Sequence, residues 1–527
     1  MHFNLRADSA PMAQFARNIS VLGACMALVS CTVGPAYHKP EAPNVASYTA
    51  TPAPLAIAAA PSASGSSASA QIFKPGATVN SHWWQGFGSA ALDRLVDQAL
   101  AHNPDLDAAQ ATLEQAQFQL KAAQGVFYPQ VALGLGGERT RSSGAATGGM
   151  TGPQLYNLYT GQVSVSYYPD VFGLNRLVTR SQQALVDVAQ DQLSAARLMI
   201  VGNVVNTAIG LAALDDEITA TQENVRDEEQ VLGLARKRYQ LGATAQFDVL
   251  TQESQLASTK AQLAQLRQAR AAARHLLATV TGRLPAQAGD MQTPKLTDLR
   301  LPATLPLSLP SALVRNRPDI RAAEAQLRAA NAQVGEAVAQ MYPSLQLTAG
   351  FGQQSNFANT FFDPASRLWN LAAGLVAPLF EGGTLEARKN AAQAAYRGMF
   401  ATYRGTVLGA FRNVADVLRA LEHDSAFLEA QARAMQAARQ ALALVTTQYS
   451  AGQVDYLNLL TSETQYQNTR VAFVKAQAQR YADTAALYVA LGGGEWGAAP
   501  SPAAAAAAGA QPQGDRHGSS RHAAASE

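Results

Sequence analysis

Asn103-Pro104-Asp105-Leu106 opens a helical pattern that closes at Tyr128-Pro129, and Arg317-Pro318-Asp319-Ile320 opens another that closes at Tyr342-Pro343. The same number of residues separates Pro104 from Tyr128 as Pro318 from Tyr342. In each, the proline falls in the first helical turn, where its missing N–H is tolerated. Further along, Tyr239-x-x-Gly242 is matched by Tyr449-x-x-Gly452, and Thr251-x-Glu253-x-Gln255 by Thr461-x-Glu463-x-Gln465. One offset relates both of these pairs, and it is only a few residues shorter than the offset of the first two. Matches kept in order over so long a stretch are not a by-product of composition, so the chain holds two tandem copies of one unit. The copies fall at residues 83–285 and 311–495, joined by a linker over 286–310.

Each copy reads in the same order. A short and a medium helix come first, at about 90–126 and 311–341. Two short alternating strands follow. Val131, Leu133 and Leu135 alternate with Ala132, Gly134 and Gly136, and Val163, Val165 and Tyr167 with Gln162, Ser164 and Ser166. In the second copy Leu345, Leu347 and Phe351 alternate with Gln346, Thr348 and Gly350, and Trp369, Leu371, Ala373 and Leu375 with Asn370, Ala372 and Gly374. An apolar face opposite a small or polar one suits a barrel wall between lipid and water; a β-sandwich with one buried face gives the same alternation.

After the strands come very long helices, from about Leu174 to Gln240 and from about Leu385 to Tyr449. About 65 residues, each rising about 1.5 Å, reach roughly 100 Å, far beyond a globular domain. Their return helices, about 246–281 and 456–491, are shorter, and all four are rich in Ala and Gln. An antiparallel coiled coil around a dry core is the ordinary alternative, but it calls for Leu and Ile at a and d through many heptads. Ala in their place fits a thin wall of closely packed helices.

The totals narrow the class. The chain has 527 residues, a net charge of +2 and 15% charged residues, against roughly 25% in an ordinary soluble domain. So small a net charge gives no field aimed at nucleic acid. Beyond the start there is no long apolar run of the kind a bundle of membrane helices needs. Both cysteines, Cys25 and Cys31, lie near the start, so disulfides hold nothing further along. Residues 1–30 read as a signal peptide, with Arg6 and Arg17 ahead of an apolar stretch from Ile19 to Val29; Met12 is an alternative start. That stretch ends Leu28-Val29-Ser30-Cys31, the pattern of a bacterial lipobox, which makes Cys31 the acylated first residue; a plain secretory signal beside a cysteine is the alternative. Thr32, not Asp, follows the cysteine, which in lipoproteins implies sorting to the outer membrane. Residues 31–82 then form a lipidated N-terminus and an Ala/Pro/Ser linker, and 496–527 a disordered Ala/Pro-rich tail.

Geometry carries the reading to function. Four strands do not close a barrel, and lipid forbids open edges. Two chains give eight strands, whose interior side chains fill; three give twelve, enough for a lumen. The expected fold is therefore mainly α with a small β part: a trimeric 12-stranded transmembrane barrel, four strands per chain, continued by a helical tube. A conduit needs no catalytic group, and the sequence holds no HExxH, GxSxG, P-loop or paired-cysteine metal motif. Lone His275 reads as structural, and Asp215-Asp216-Glu217 as a solvated helix face without His or Cys to complete a metal site. No enzyme activity, cofactor or metal is expected.

The motifs resemble the TolC-like outer-membrane efflux proteins, and within them the OprM/NodT lipoprotein branch. Cys31-Thr-Val-Gly34-Pro35-x-Tyr37-x-x-Pro40 is similar to the branch's mature N-terminus. Trp83-Trp84-x-x-Phe87 and Leu92-x-x-Leu95-Val96-x-x-Ala99-Leu100-x-x-Asn103-Pro104 resemble its entry to the first repeat. Arg317-Pro318-Asp319-Ile320-Arg321-Ala322-Ala323-Glu324, Tyr342-Pro343-Ser344 and Pro378-Leu379-Phe380-Glu381-Gly382-Gly383 complete the set. The resemblance implies a homotrimer, a periplasmic α-helical barrel with a collar of shorter helices, a periplasmic adaptor and an inner-membrane pump of the RND class. A type I protein secretion channel shares the architecture, and a periplasmic coiled-coil scaffold is the reading from another class.

The resemblance also puts the two helix-to-helix turns at the periplasmic end, where they meet the adaptor and close the pore. Arg238, Tyr239, Gly242 and Asp248 are the candidates in one turn, and Tyr449, Gly452, Asp455 and Asn458 in the other; exposed capping residues are the plain alternative. Glycine in such a turn supplies the left-handed cap. Relatives with an acidic constriction carry aspartates where this chain has Asn458 and Thr461, which leaves Asp455 as the candidate charge.

Overall fold

The computed structural model describes residues 33–51, 54–61, 63, 65–141, 143 and 154–494. Cys31, the signal peptide and the tail lie outside the described residues. In chain order the elements are β1 (Ala56–Ile57), β2 (Gln71–Pro75), α1 (Ala90–His102), α2 (Pro104–Gln124), β3 (Gln130–Arg141), β4 (Leu155–Tyr167), α3 (Leu174–Gln240) and α4 (Gln246–Val280). There follow β5 (Thr304–Leu307), α5 (Pro310–Asn316), α6 (Pro318–Ala339), β6 (Ser344–Ser355), β7 (Arg367–Val376), α7 (Thr384–Ser450) and α8 (Tyr456–Ala490). The tandem repeat is exact in length where it matters: α3 and α7 each have 67 residues, and α4 and α8 each have 35.

Strands of both copies form one antiparallel sheet in the order β3-β4-β6-β7. Its register carries Leu133 opposite Val163, Val163 opposite Phe351, and Phe351 opposite Trp369. All the alternating apolar residues therefore share one face, and that face is bare: Leu135 and Trp369 are each 77% exposed. The β-sandwich alternative fails here, because among the described residues nothing covers this face as a second sheet would. The opposite face is mostly small and polar, with Tyr156, Leu158, Leu368 and Val376 toward the strand ends. Gln162 on β4 donates through Nε2 to Asn370 Oδ1 on β7 at 3.2 Å, passing over β6 at Gly350, where any Cβ would collide with both side chains. The outer strands β3 and β7 each keep one unpaired edge within the chain.

The helices are layered in two tiers. Next to the sheet, α3 packs between α2 and α6, and α6 packs on α7; farther away, α4 and α8 flank the distal half of α3, and α8 also packs on α7. The tiers join end to end. Asn103, which caps α2 through its side chain, donates Nδ2 to Val280 O at the end of α4, at 2.8 Å. Arg317 makes the equivalent link, Nη1 to Ala490 O at the end of α8, at 2.9 Å. These are the last carbonyls of a helix, which have no partner inside it. Both joints are closed by a glycine with positive φ: Gly282, at +74°, is pressed against the backbone of His102, and Gly492, at +93°, against that of Arg317.

The main core lies at this junction. Trp83, Trp84, Phe87, Leu92 and Val96 meet Val201, Val204, Val205 and Leu211 of α3, Leu277 of α4, Leu421 of α7 and Tyr481 of α8. One stretch of α3 is apolar enough to cross a membrane by composition, and most of it is buried. The segments read as linkers are extended but tied down. β1 pairs with β2, and β2 runs parallel to β5 from the inter-repeat segment, forming a small belt sheet. Ile57, Phe73 and Leu305 are buried in the core, and buried Arg480 of α8 donates Nη2 to Ser69 O at 2.7 Å.

Candidate functional site: the helical tips

The sheet-distal ends of the long helices finish in identical turns. Ala243 N–H donates to Arg238 O and Gly242 N–H to Tyr239 O at one tip; Gln453 N–H donates to Gln448 O and Gly452 N–H to Tyr449 O at the other. This double bond pattern around a left-handed glycine is the Schellman motif. Both Gly242 and Gly452 have φ of +71° and open space where a side chain would stand.

Side chains then tie one tip to the other. Arg238 of the first copy donates Nη2 to Tyr449 O at 3.1 Å and to Ser450 O at 3.5 Å, in the last turn of α7. Its guanidinium also lies 4.5 Å from the centre of the Tyr449 ring. A cation at a helix C-terminus meets the negative end of its dipole, and the ring face adds cation–π attraction. Tyr449 is buried and meets Tyr456 edge-on, ring centres 6.2 Å apart.

Other candidates stay within their own tip. Asp455 caps α8, accepting from Asn458 N–H at 3.1 Å and Asn458 Nδ2 at 2.8 Å. Asp248 accepts a short hydrogen bond from Thr244. Tyr239 is exposed, and Thr461 Oγ1 donates to Leu457 O at 2.8 Å. Arg238 and Tyr449 are thus brought together, Asp455 and Asn458 form a local cap, and Asp248 pairs with neither arginine nor tyrosine.

About two to four helical turns above the tips lies a buried polar cluster that the sequence did not single out. Glu228 of α3, 1% exposed, accepts from Thr259 Oγ1 at 2.9 Å and Gln467 Nε2 at 2.7 Å. Gln252 donates Nε2 to Glu228 O at 3.3 Å and accepts a short bond from the Tyr456 hydroxyl. Glu463 of α8 is 7% exposed. The second carboxylate oxygens of Glu228 and Glu463 have no hydrogen-bond partner. Burial, then the nearby carboxylates Glu228 and Asp227, push the Glu463 carboxyl up to about 7, so that it holds its proton below neutrality, where an ordinary glutamate is already charged. Glu228 sits in the acidic run Asp227-Glu228-Glu229, where nothing local marks one of the three for burial. The available signal was Glu463 itself, already visible as the repeat partner of Glu253.

Among the described residues no group of three or more His, Cys, Asp and Glu is placed to hold a metal ion. His275 is exposed and Asp215 is bonded to Arg270, but the solvated face read at Asp215-Asp216-Glu217 fails at Glu217, which is buried with Lys475 3.8 Å away. At the other end of the helices, the start of the described chain lies beside the sheet. Val33 N–H donates to Phe172 O at 3.3 Å, at the junction of β4 and α3, and Lys39 pairs with Glu324 at 2.8 Å. Gly34, with φ of +118°, comes so close to Gly335 that a Cβ would lie 2.8 Å from its Cα.

A sheet with one bare apolar face and free edges, carried on helices of roughly 100 Å, is the protomer of a TolC-like trimeric outer-membrane channel that reaches into the periplasm. The comparisons agree. A profile of the outer membrane efflux protein family matches residues 95–283 and 309–493. The pyoverdine export outer membrane protein OpmQ of Pseudomonas putida is 32% identical over 449 residues, covering 84% of this chain and 94% of that protein. The solved outer-membrane channel OprN superposes with a TM-score of 0.77 at 27% identity, over 88% of this chain and 99% of that one. VceC from Vibrio cholerae gives 0.73 at 29% identity, over 79% and 99%. The chain belongs to the outer membrane efflux protein family, whose members are channel proteins.

Proposed function

We propose that three copies of this chain join β3 of one to β7 of the next, enclosing a 12-stranded barrel that opens into a periplasmic helical tube. It acts as a passive conduit without enzyme activity, for small molecules handed over by a periplasmic adaptor and an inner-membrane pump of the RND class. The single observation that carries this is the sheet: an exposed apolar face, a polar inner face and two unpaired edges. Lipid tolerates such edges only when another strand takes them. The naming of OpmQ for pyoverdine export supports small organic cargo. Acylation at Cys31 anchors the chain, supported by the bond from Val33 to Phe172, which holds the chain two residues past that cysteine beside the sheet.

At the tips, the Arg238–Tyr449 contact and the Asp455 cap hold the tube closed. The adaptor meets the exposed turns around Gly242 and Gly452. Outer-membrane fractionation, heat-modifiable trimers on gels and step conductance in planar bilayers test the conduit. A detergent-solubilised monomer that makes no steps would refute it.

A further inference from the structure

We propose that Arg139, Arg141 and Arg367 form a binding site for the phosphates of a glycolipid of the outer leaflet, at the seam between protomers. The inference rests on the trimeric barrel proposed above. The four strands of the barrel sheet hold only Glu138, Arg139, Arg141 and Arg367 as charged residues. Arg139 and Arg141 continue the alternation of Val131, Leu133 and Leu135, so they share the apolar face. The register runs from Leu135 to Gly161, to Gln353 and to Arg367, which puts Arg367 on that face as well. Glu138 points to the opposite face, where it accepts a short bond from Thr140.

All three arginines are exposed, and none has an ion-pair partner among the described residues. The sequence supplies little to neutralise them. From Arg139 to Pro169 it contains no Asp or Glu, and the β6–β7 connection contains only Asp363. All three also lie at one end of the sheet. β3 leaves α2 and ends at Arg141, and β7 starts at Arg367 and leads toward α7, so the arginines occupy the end away from the helices. That end faces the cell exterior. The helix-proximal end of the same face has Tyr167, Leu345 and Leu375 and no charge.

An arginine facing hydrocarbon is costly at the bilayer midplane, and that cost largely vanishes near the interface. The exposed Trp369, next on the same face of β7, and Phe362 in the connecting loop mark that interface, where aromatic side chains collect. β3 and β7 are the two free edges, so closing the barrel sets the Arg139/Arg141 end of one protomer beside the Arg367 end of the next. Guanidinium forks bind phosphate in pairs of parallel hydrogen bonds, and acyl chains of the same lipid lie along the apolar face below.

The test uses full-length trimers and purified lipid A, in its bisphosphorylated and dephosphorylated forms, with binding read by native mass spectrometry. Parent trimers retain the bisphosphorylated form. A triple variant R139Q/R141Q/R367Q loses about tenfold or more in affinity, and so does the dephosphorylated lipid on the parent. Arg367→Gln alone lowers binding too, because the site spans the seam, and Arg367→Lys loses less. Competition by inorganic phosphate at low concentration identifies a site for the free anion instead. Equal retention by parent and triple variant, equal binding of the two lipid forms, or such competition overturns the proposal. Heat-modifiable trimers in every variant show that the barrel itself stands; a parent chain that never forms trimers removes the conduit and not this site alone.

Discussion

Tyr239 at the turn of the first copy is 45% exposed, and Tyr449 at the matching turn of the second is 4% exposed. Two positions obey the same backbone chemistry, with the same Schellman bonds and the same glycine φ, yet only one is built into the fold. The contrast repeats along the return helices. Glu253 of α4 stands at the surface with Arg236 at 2.5 Å, whereas Glu463 of α8 is buried beside Glu228. Duplication copied the turn, and packing then divided the work. The second tip is held by partners from the first copy, Arg238, Gln252 and Glu228, whereas the first tip's other contacts stay within its own copy: Thr244 with Asp248, Arg236 with Glu253, and a small core of Leu232, Ala235, Val249 and Leu256. A tube that opens at its end needs one helix pair firmly seated and another able to move against it.

If this division is real, the largest effect comes from truncating the seated tyrosine. Tyr449→Ala removes the ring from Arg238 and Tyr456 and leaves a cavity, a loss of about 3–5 kcal/mol for an aromatic core residue. Tyr239→Ala, at the exposed site, is expected to cost less than about 0.5 kcal/mol. Amide hydrogen exchange at the two turns reads this directly, and Tyr449→Ala channels should show more open time in bilayers. Equal costs at the two tyrosines would erase the asymmetry.

The next effect is on pH. Glu463 is raised to about 7 by burial and by Glu228 and Asp227, whereas in an opened tip it ionises near an ordinary glutamate's value. Between those two values the packed tip binds the extra proton, so its stability falls as pH rises, and is least above about 7. Protection at the second turn, the exchange rate taken relative to the base-catalysed rise of a free peptide, should therefore fall between about pH 5 and about pH 8, limits set around that shift. Glu463→Gln should flatten that profile. A parent tip that tightens as pH rises would contradict the buried, proton-holding carboxyl.

Much of this architecture was legible in the sequence because it rests on local periodicity. Alternation at Val131, Leu133 and Leu135 fixes which strand face is apolar without knowledge of any partner. The glycines of Tyr239-x-x-Gly242 and Tyr449-x-x-Gly452 mark the turns, because a left-handed cap is a local requirement. What stayed hidden depends on pairing between distant segments. β2, reading Gln71-Ile-Phe-Lys-Pro75, gives no sign that it will run parallel to Thr304–Leu307. Asn103 looks like an ordinary N-cap, and its second bond, to Val280, exists only because two helices stack end to end. Glu228 stands in an acidic run and is buried only through the pairing of α3 with α4 and α8, whose Thr259 and Gln467 bond it. Arg238 was legible as a tip residue, but its partner is a carbonyl of the other copy, which no charge pattern announces.

Two smaller effects sharpen the comparison from the side where the tips should agree. Gly242→Ala and Gly452→Ala each force a Cβ into the left-handed region, at about 1–2 kcal/mol. Because both Cβ atoms would enter open space, the cost is all backbone and should match at the two tips. An inequality there would mean that the turns differ before any side chain is considered. Smallest of all is the Arg236–Glu253 pair, which lies in solvent. Glu253→Gln should cost about 0–1 kcal/mol, and less as salt is raised, since two mobile side chains must be held for a screened attraction. A larger, salt-insensitive loss on exchange at the first turn would mean that the surface pair, not the buried cluster, seats the helices, and that the first tip is the fixed one.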